Sequence, residues 1–256
     1  MVIALLTDFG TTDYFVGAMK GAILSINRQA TIVDITHQIP PHDIPAASFT
    51  LRACYQYFPA RTIFVAVVDP GVGSERRALL VETENFYFLA PDNGLLSFVF
   101  DEAKRFSVFE LTNEKFFAES VSRTFHGRDI FAPVAAHLSN GVQSKEFGVE
   151  VVNFNRSKNN KPKRISQKEF AAEIVHIDSF GNLVTNLKES DLPESFTIAI
   201  GGTTINKRQT FFAEAKKGEL FMITGSAGFL EIAAFQASAK EILRVEIGEK
   251  VLLRTN

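Results

Sequence analysis

The chain has 256 residues, 46% of them hydrophobic, and its 27 Lys and Arg against 29 Asp and Glu leave a net charge of −2. That length fits one large domain or a medium domain plus a small one, and the charge balance lacks the basic footprint of a nucleic-acid binder. A single cysteine, Cys54, excludes an intrachain disulfide and a thiolate metal cluster and points to a cytoplasmic protein.

Residues 1–10 are too briefly apolar and too soon acidic for a signal peptide. Residues 2–6 form a short apolar run that stops at Thr7-Asp8-Phe9-Gly10. Over 13–27, Phe15, Ala18, Met19, Ala22, Ile23 and Ile26 recur at helical spacing. Residues 31–35 predict a strand. Asp43, with Pro45 in the first turn, caps a helix expected to reach about residue 58. The run 62–68 predicts a buried strand, far too short to cross a membrane. Further strands are expected at 78–83, 86–90 and 106–111, and a helix at 129–138 closed by Asn140-Gly141. This alternation implies a mostly parallel sheet flanked by helices, a Rossmann-like α/β/α domain over 1–155. Ligands bind at the carboxyl ends of the strands in such sheets.

The pattern changes at 156–168 (RSKNNKPKRISQK). This stretch is polar and basic, and it lacks the interleaved aromatics of a single-strand binding surface, so it predicts a linker. Strand-like runs follow at 172–177, 183–187, 196–200, 220–224, 243–247 and 250–254, with glycines between them. They imply a small β-barrel domain over 169–256. The 25 Phe residues, with no Trp, serve chiefly as core.

Several polar groups fall at strand ends. Asp8 follows the first strand, where a carboxylate can accept two ribose hydroxyls or merely cap a turn. Asp69 follows the apolar run 63–68 within VVDPGVGSERR, and a charge directly after a buried strand needs a partner, which Arg76 or Arg77 can supply. The glycines there do not form a GxxxxGK[ST] phosphate loop. His126, in FHGRDIFAP, precedes a helix and titrates near neutrality. His37, His42, His137 and His176 read as structural. No HExxH-type spacing appears, so no metal is expected. Asp92 and Asn93, in APDNGLL, read as a capped turn. In the C-terminal half, Asp178, Phe180 and Asn182 bunch in IDSFGNLVTN, where an aromatic face beside an amide suits a purine and a β-bulge at Gly181 is the plainer reading. The turn 224–228, with Ser226, offers a hydroxyl and amides to a carboxylate.

Together these segments resemble the S-adenosyl-L-methionine (SAM) hydroxide adenosyltransferase family, the water-using relatives of fluorinases and chlorinases. The matching stretches are TDFG, GAMKG, IVDITH, VAVVDPGVGSERR, APDNGLL, FHGRDIFAP, FGNLVTN and GFLEIA, in family order over nearly the whole chain. The resemblance implies hydrolysis of SAM to adenosine and L-methionine without a metal or cofactor. It also implies a homotrimer with active sites at subunit boundaries, and neither a nucleic-acid nor a membrane partner. Asp69, Arg76 and His126 match the family's catalytic set, which the halogenating relatives lack. Asp8 matches the ribose-binding carboxylate, Asn182 an amide that contacts the nucleoside, and Asp178 and Ser226 positions around the methionine amino and carboxylate groups. Glu231 and the backbone of Ala233 match positions that line the adenosine site, and the aromatic face of Phe180 suits stacking on its purine. Two departures stand out: Ala234-Phe235-Gln236 replaces a segment that often carries an Asn, and Ala227 takes a place where fluorinases use Arg. In the implied mechanism, Arg76 and His126 hold a water in line with ribose C5′, His126 accepts its proton, and Asp69 orients both. A 5′-halogenase and a non-catalytic SAM or adenosine sensor are the alternatives.

Overall fold

Strands that are apolar at every position need cover on both faces, and the first half of the chain is built on such strands. The computed structural model describes residues 1–157 and 161–255. The chain divides into two compact units, 1–158 and 159–256.

In the first unit the elements run β1 (Val2–Thr7), α1 (Phe15–Ile26), β2 (Thr31–Thr36), α2 (Ile44–Cys54), β3 (Ile63–Val67), β4 (Ala78–Thr83), β5 (Tyr87–Pro91), α3 (Ser97–Glu102), β6 (Phe106–Leu111), α4 (Ala132–Ser139) and β7 (Gly148–Glu150). The strands form one sheet in the order β2-β1-β3-β5-β4-β6-β7. Alternate residues of each central strand feed opposite cores. Ile3, Leu5, Ile63 and Val65 pack under α1 and α4, with Met19, Ile23 and Val134. Ala4, Leu6, Phe64 and Ala66 pack under α2 and α3, with Ala47, Leu51 and Phe98. The sheet is therefore sandwiched between two helical layers, as the unbroken apolar runs predict.

Pairing is parallel among β2, β1, β3 and β5 and antiparallel for β5–β4, β4–β6 and β6–β7. Most strands thus point one way, and β4 and β7 run against them. The reversal at β4 comes from a hairpin, because only a short turn separates it from β5 and Thr83 N–H donates to Phe86 O at 2.9 Å. At the other side, β2 and β3 flank β1 on opposite edges. That divergence is the topological switch where α/β sheets open a crevice for ligands.

The second unit comprises β8 (Lys163–Arg164), β9 (Glu169–Ile177), β10 (Leu183–Lys188), β11 (Phe196–Ile200), β12 (Thr203–Ile205), β13 (Leu220–Thr224), β14 (Phe229–Ala234), α5 (Ala239–Leu243) and β15 (Lys250–Thr255). Its strands pair antiparallel in the order β12-β11-β15-β9-β10-β14-β13, with β8 on β9. Residues after β12 bond back to β13: Met222 N–H donates to Lys207 O at 2.8 Å and Gln209 N–H to Met222 O at 2.9 Å. The sheet so nearly closes into a barrel, filled by Ile174, Leu183, Ile198, Met222, Leu230 and Ile232.

Two expectations need correction. Residues 243–247 are no strand: the chain forms α5 instead, capped by Ser238 Oγ accepting from Glu241 N–H at 3.1 Å and ended by Arg244 in the left-handed region. Within the expected linker, Lys163 and Arg164 form β8, and residues 158–160 lie outside the described residues.

Phe64 is fully buried and stacks on Phe88, with ring centroids 5.1 Å apart. Phe64→Ala is expected to destabilise the protein by about 3–5 kcal/mol through the cavity it leaves, measured as a lowered denaturant midpoint.

Candidate active site

The switch point sets two carboxylates at the same end of adjacent strands. Thr7 pairs in register with Val67, so Asp8 and Asp69 both leave the carboxyl end of the sheet on adjacent strands. Asp69 opens a loop that returns at Arg76, just before β4. Val72 N–H donates to Asp69 O at 3.2 Å and Ser74 N–H to Gly71 O at 3.1 Å, which fold the loop tightly. Gly73 has φ +78°, and a Cβ there would stand 2.1 Å from Arg123 O. Only glycine lets this loop lie against the segment that leads to His126.

The result is a cluster centred on one guanidinium. Arg76 Nε donates to Asp69 Oδ1 at 3.0 Å, and Arg76 Nη2 donates to Asp69 Oδ2. The same Nη2 reaches His126 Nδ1 at 2.7 Å. Asp69 and Arg76 are nearly buried. Phe131 lies under the guanidinium, 5.7 Å from Cζ to ring centroid. His126 stands at the head of a π-helical turn, Gly127–Phe131, that leads into α4. Such turns are rare and concentrate at functional sites. Asp129, buried in that turn, accepts from Ser122 N–H at 2.8 Å and pairs with Arg128, which ties the preceding loop to the helix.

Because guanidinium has only donors, His126 Nδ1 must accept. The neutral ring therefore carries its proton on Nε2 and presents an N–H. Burial and the adjacent Arg76 charge hold His126 below its ordinary pKa of 6.5, against the pull of Asp69 and Asp129. The lone pair expected to act as a base is thus already engaged, and the geometry leaves His126 as a hydrogen-bond donor.

Asp8 is almost buried, and its Oδ2 accepts the His42 backbone N–H at 2.9 Å. His42 has φ +67°, an uncommon conformation for a residue other than glycine, and this backbone is what aims its amide at Asp8.

In the second unit, Asp178 binds the turn that follows it. Its Oδ1 accepts from Phe180 N–H and Asn182 N–H, both at 2.9 Å, and its Oδ2 accepts from Asn182 Nδ2 at 2.8 Å. The Phe180 ring is left 78% exposed. Val184 lies opposite Glu231 across β10 and β14, which puts Glu231 beside the same turn. Burial, and then Asp178, pushes the Glu231 carboxyl above its ordinary pKa. Gly225 lies tight against this side chain, since a Cβ there would stand 1.7 Å from Glu231 Oε1 and the carboxylate would have to swing aside. Ser226 follows on the exposed turn, and Ala233 points into a small cluster with Phe221 and Ile223, leaving only its backbone for a ligand.

Family models for the N-terminal and C-terminal domains of SAM hydroxide adenosyltransferase match residues 3–148 and 172–252. The chain belongs to the SAM hydroxide adenosyltransferase family. Among its relatives are proteins named (R)-S-adenosyl-L-methionine hydrolase. That of Methanocaldococcus jannaschii is 35% identical over 98% of this chain and 94% of that protein, and that of Thermus thermophilus 33% identical over 98% of each. A fluorinase of Actinoplanes is 29% identical over 76% of this chain and 74% of its own. A solved structure of an uncharacterized conserved protein from Thermotoga maritima superposes with a TM-score of 0.91 at 35% identity, covering 98% of this chain and 99% of that one.

Within this family member, sequence reasoning assigned Asp69 two candidate partners, and the structure divides them. Arg76 takes Asp69, whereas Arg77 Nη2 donates to Asp92 Oδ2 at 2.6 Å and to Asn153 O at 2.6 Å. Asp92 also accepts from Asn155 N–H at 2.7 Å, and Asn93 Nδ2 donates to Val68 O at 2.9 Å. The APDNGLL turn therefore does more than cap itself: it braces both ends of the Asp69 loop. His42, read as structural, is the residue the sequence analysis missed at Asp8. Its signal was the compact PPHD turn before the α2 cap.

Gly73→Ala should cost more than the about 1–2 kcal/mol of the left-handed backbone, because its Cβ also meets Arg123 O, measured by denaturant unfolding. Arg76→Ala removes the cation that opposes imidazolium and should raise the His126 midpoint, which in the native protein lies below 6.5, in an NMR titration of the imidazole protons.

Proposed function

We propose that the protein hydrolyses SAM to adenosine and L-methionine by attack of one water on ribose C5′, with the Asp69–Arg76–His126 cluster holding that water. The observation that carries this reading is the single guanidinium that joins Asp69 and His126. Names borne by relatives identical at 33–35% support the reaction.

In the reaction, the water oxygen forms a bond to C5′ while the C5′–S bond breaks. The electron pair goes to sulfur, so methionine leaves as a neutral thioether and needs no general acid. The demanding partner is water, with a pKa of about 15.7 in bulk. His126 Nε2–H donates to the water oxygen and orients one lone pair toward carbon. Each Asp69 oxygen accepts one Arg76 N–H and keeps a free lone pair, and Asp69 takes the proton as the new C–O bond forms. Arg76 keeps Asp69 in place and favours negative charge on the attacking oxygen. Orientation of this kind supplies several kcal/mol of the barrier lowering, on the order of what well-placed reactants give.

Asp8 accepts the ribose hydroxyls. Phe180 and Asn182 receive the adenine ring, with Glu231 and the Ala233 backbone along the nucleoside. Asp178 and Ser226 hold the amino and carboxylate groups of the methionine portion. Asp178 and Glu231 together offer negative potential to a substrate that carries a sulfonium and an ammonium. The protein works as a cytoplasmic homotrimer in which each site is completed by a neighbouring copy, needs no cofactor, and prefers the (R)-sulfonium epimer.

Incubation with separated SAM epimers in 18O-water, followed by chromatography and mass spectrometry, tests the reading. Adenosine labelled at the 5′-oxygen is expected, unchanged by EDTA or added chloride. Unaltered SAM would overturn the enzyme reading, and a 5′-haloadenosine would convert it to a halogenase.

Asp69→Ala, Arg76→Ala and His126→Ala should each lower kcat by about 10²–10⁴. His126→Gln, which keeps an amide N–H near the Nε2 position, should retain at least about tenfold more kcat than His126→Ala, as expected when a donor and not a base is lost. Equal losses in the two variants would restore the imidazole as base. Since the lowered pKa keeps His126 neutral, kcat/KM should stay level above 6.5 and fall only at more acid pH.

A further inference from the structure

Behind Asp8 a second polar chain runs through the body of the first unit. Lys20, on α1, donates from Nζ to Asp34 Oδ2 at 2.6 Å. Asp34 Oδ1 lies 3.2 Å from His37 Nε2, an electrostatic contact out of line for a hydrogen bond, and this buried nitrogen has no hydrogen-bond partner among the described residues, so the carboxylate is the group that attracts its N–H. His37 Nδ1 meets Thr7 Oγ1 at 2.8 Å, fully buried. Thr7 Oγ1 in turn accepts the Phe9 backbone N–H at 3.2 Å. Asp8 is the residue between the two bonded positions.

The proton positions follow from the partners. Asp34 can only accept, so His37 Nε2 carries the hydrogen and Nδ1 is a bare lone pair. Thr7 must then donate its hydroxyl to Nδ1, which leaves its oxygen to accept from Phe9. Each link dictates the next, from the ammonium of Lys20 to the amide that follows Asp8. Burial alone would raise the Asp34 pKa, yet Lys20 and His37 hold it below the ordinary carboxylate value, so the anchor is anionic.

The backbone is shaped to build this chain. Leu5 pairs with Asp34 but Leu6 pairs with Thr36, a bulge that inserts Ile35 and shifts the end of β2 relative to β1. Bulges re-aim side chains in this way. His37 then also accepts Gly10 N–H on its carbonyl at 2.7 Å. The chain on both sides of Asp8 is thereby held by one histidine, at Thr7 through its ring and at Gly10 through its main chain.

We propose that His37, oriented by Asp34 and Lys20, is a positioning residue that fixes the Asp8 carboxylate for the ribose diol. This rests on the reading of Asp8 as the diol acceptor. It assigns a role to a histidine that touches neither substrate nor the reacting atoms.

The test compares binding of adenosine and 2′,3′-dideoxyadenosine to the full-length protein by calorimetry. Native protein is expected to favour adenosine. Thr7→Val breaks the chain at its buried hydroxyl and should cut that preference at least about fivefold while leaving the dideoxy affinity within about twofold, and Thr7→Ser should restore it. Asp34→Asn, at a partly exposed position that tolerates change, should shift the preference in the same direction by about twofold or more. It decides the matter if Thr7→Val does not fold. Equal weakening of both ligands, or a full diol preference in Asp34→Asn and Thr7→Val, overturns the positioning role while leaving the Asp8 assignment intact. A native protein without diol preference overturns the Asp8 assignment and the inference with it.

Discussion

A guanidinium has five donors in a rigid plane and no acceptor, and at Arg76 that asymmetry organises everything around it. The carboxylate it grips on one side belongs to the loop after β3, and the imidazole it touches on the other heads the π-helical turn before α4. Two chain segments fifty residues apart are thus pinned to one planar group. The imidazole has no freedom over its tautomer, and the carboxylate has none over its orientation. A lysine at the same place would carry the charge but not the fork, and both constraints would lapse together.

The fold supplies the position and glycine the proximity. Asp8 and Asp69 leave the same end of the sheet because β1 and β3 are neighbours in register at its switch, a relation between strands separated by nearly sixty residues. Gly73 then allows the Asp69 loop to press on the backbone at Arg123. Neither fact is local. The sequence locates Asp8, Asp69 and His126 at the ends of apolar runs, where charge is conspicuous, but it contains no statement about which ends meet. The resemblance to a family grouped these residues as a set, and the hydrogen bonds specify how they are grouped.

Legibility varied with the kind of signal. The central strands were plain because 63–67 is apolar on both faces and needs two layers of cover. The hairpin of β4 and β5 was open to view as two strands with a two-residue turn, though it was absorbed into a mostly parallel sheet. Residues 243–247 alternate apolar and polar, which predicts a strand. The stronger signal was the Ser238-x-x-Glu241 cap just upstream, which starts a helix and carries Leu243 and Val245 inward. The strand at Phe229–Ala234 is apolar at every position but Glu231, so it lacks the alternation that separates a strand from a buried helical segment. His37 and His42 are not legible for a physical reason: one bonds Thr7 from within the core, the other reaches Asp8 through its backbone, and neither mode leaves a mark in residue type.

The brace beneath the Asp69 loop has a bearing on where this protein can be cut. Asp92 is held by Arg77 and by the main chain and side chain of Asn155, and Arg77 is held in turn by the carbonyl of Asn153. Those last two residues lie beyond 148, where the match to the N-terminal family domain stops. A fragment ended at that border would keep every strand of the sheet except the last residues of its edge, yet would strip the buried Asp92 of half its ligands. Workers who wish to express the α/β unit alone, or to graft it onto another partner domain, need the tail through Asn155 as part of the scaffold and cannot treat it as spacer.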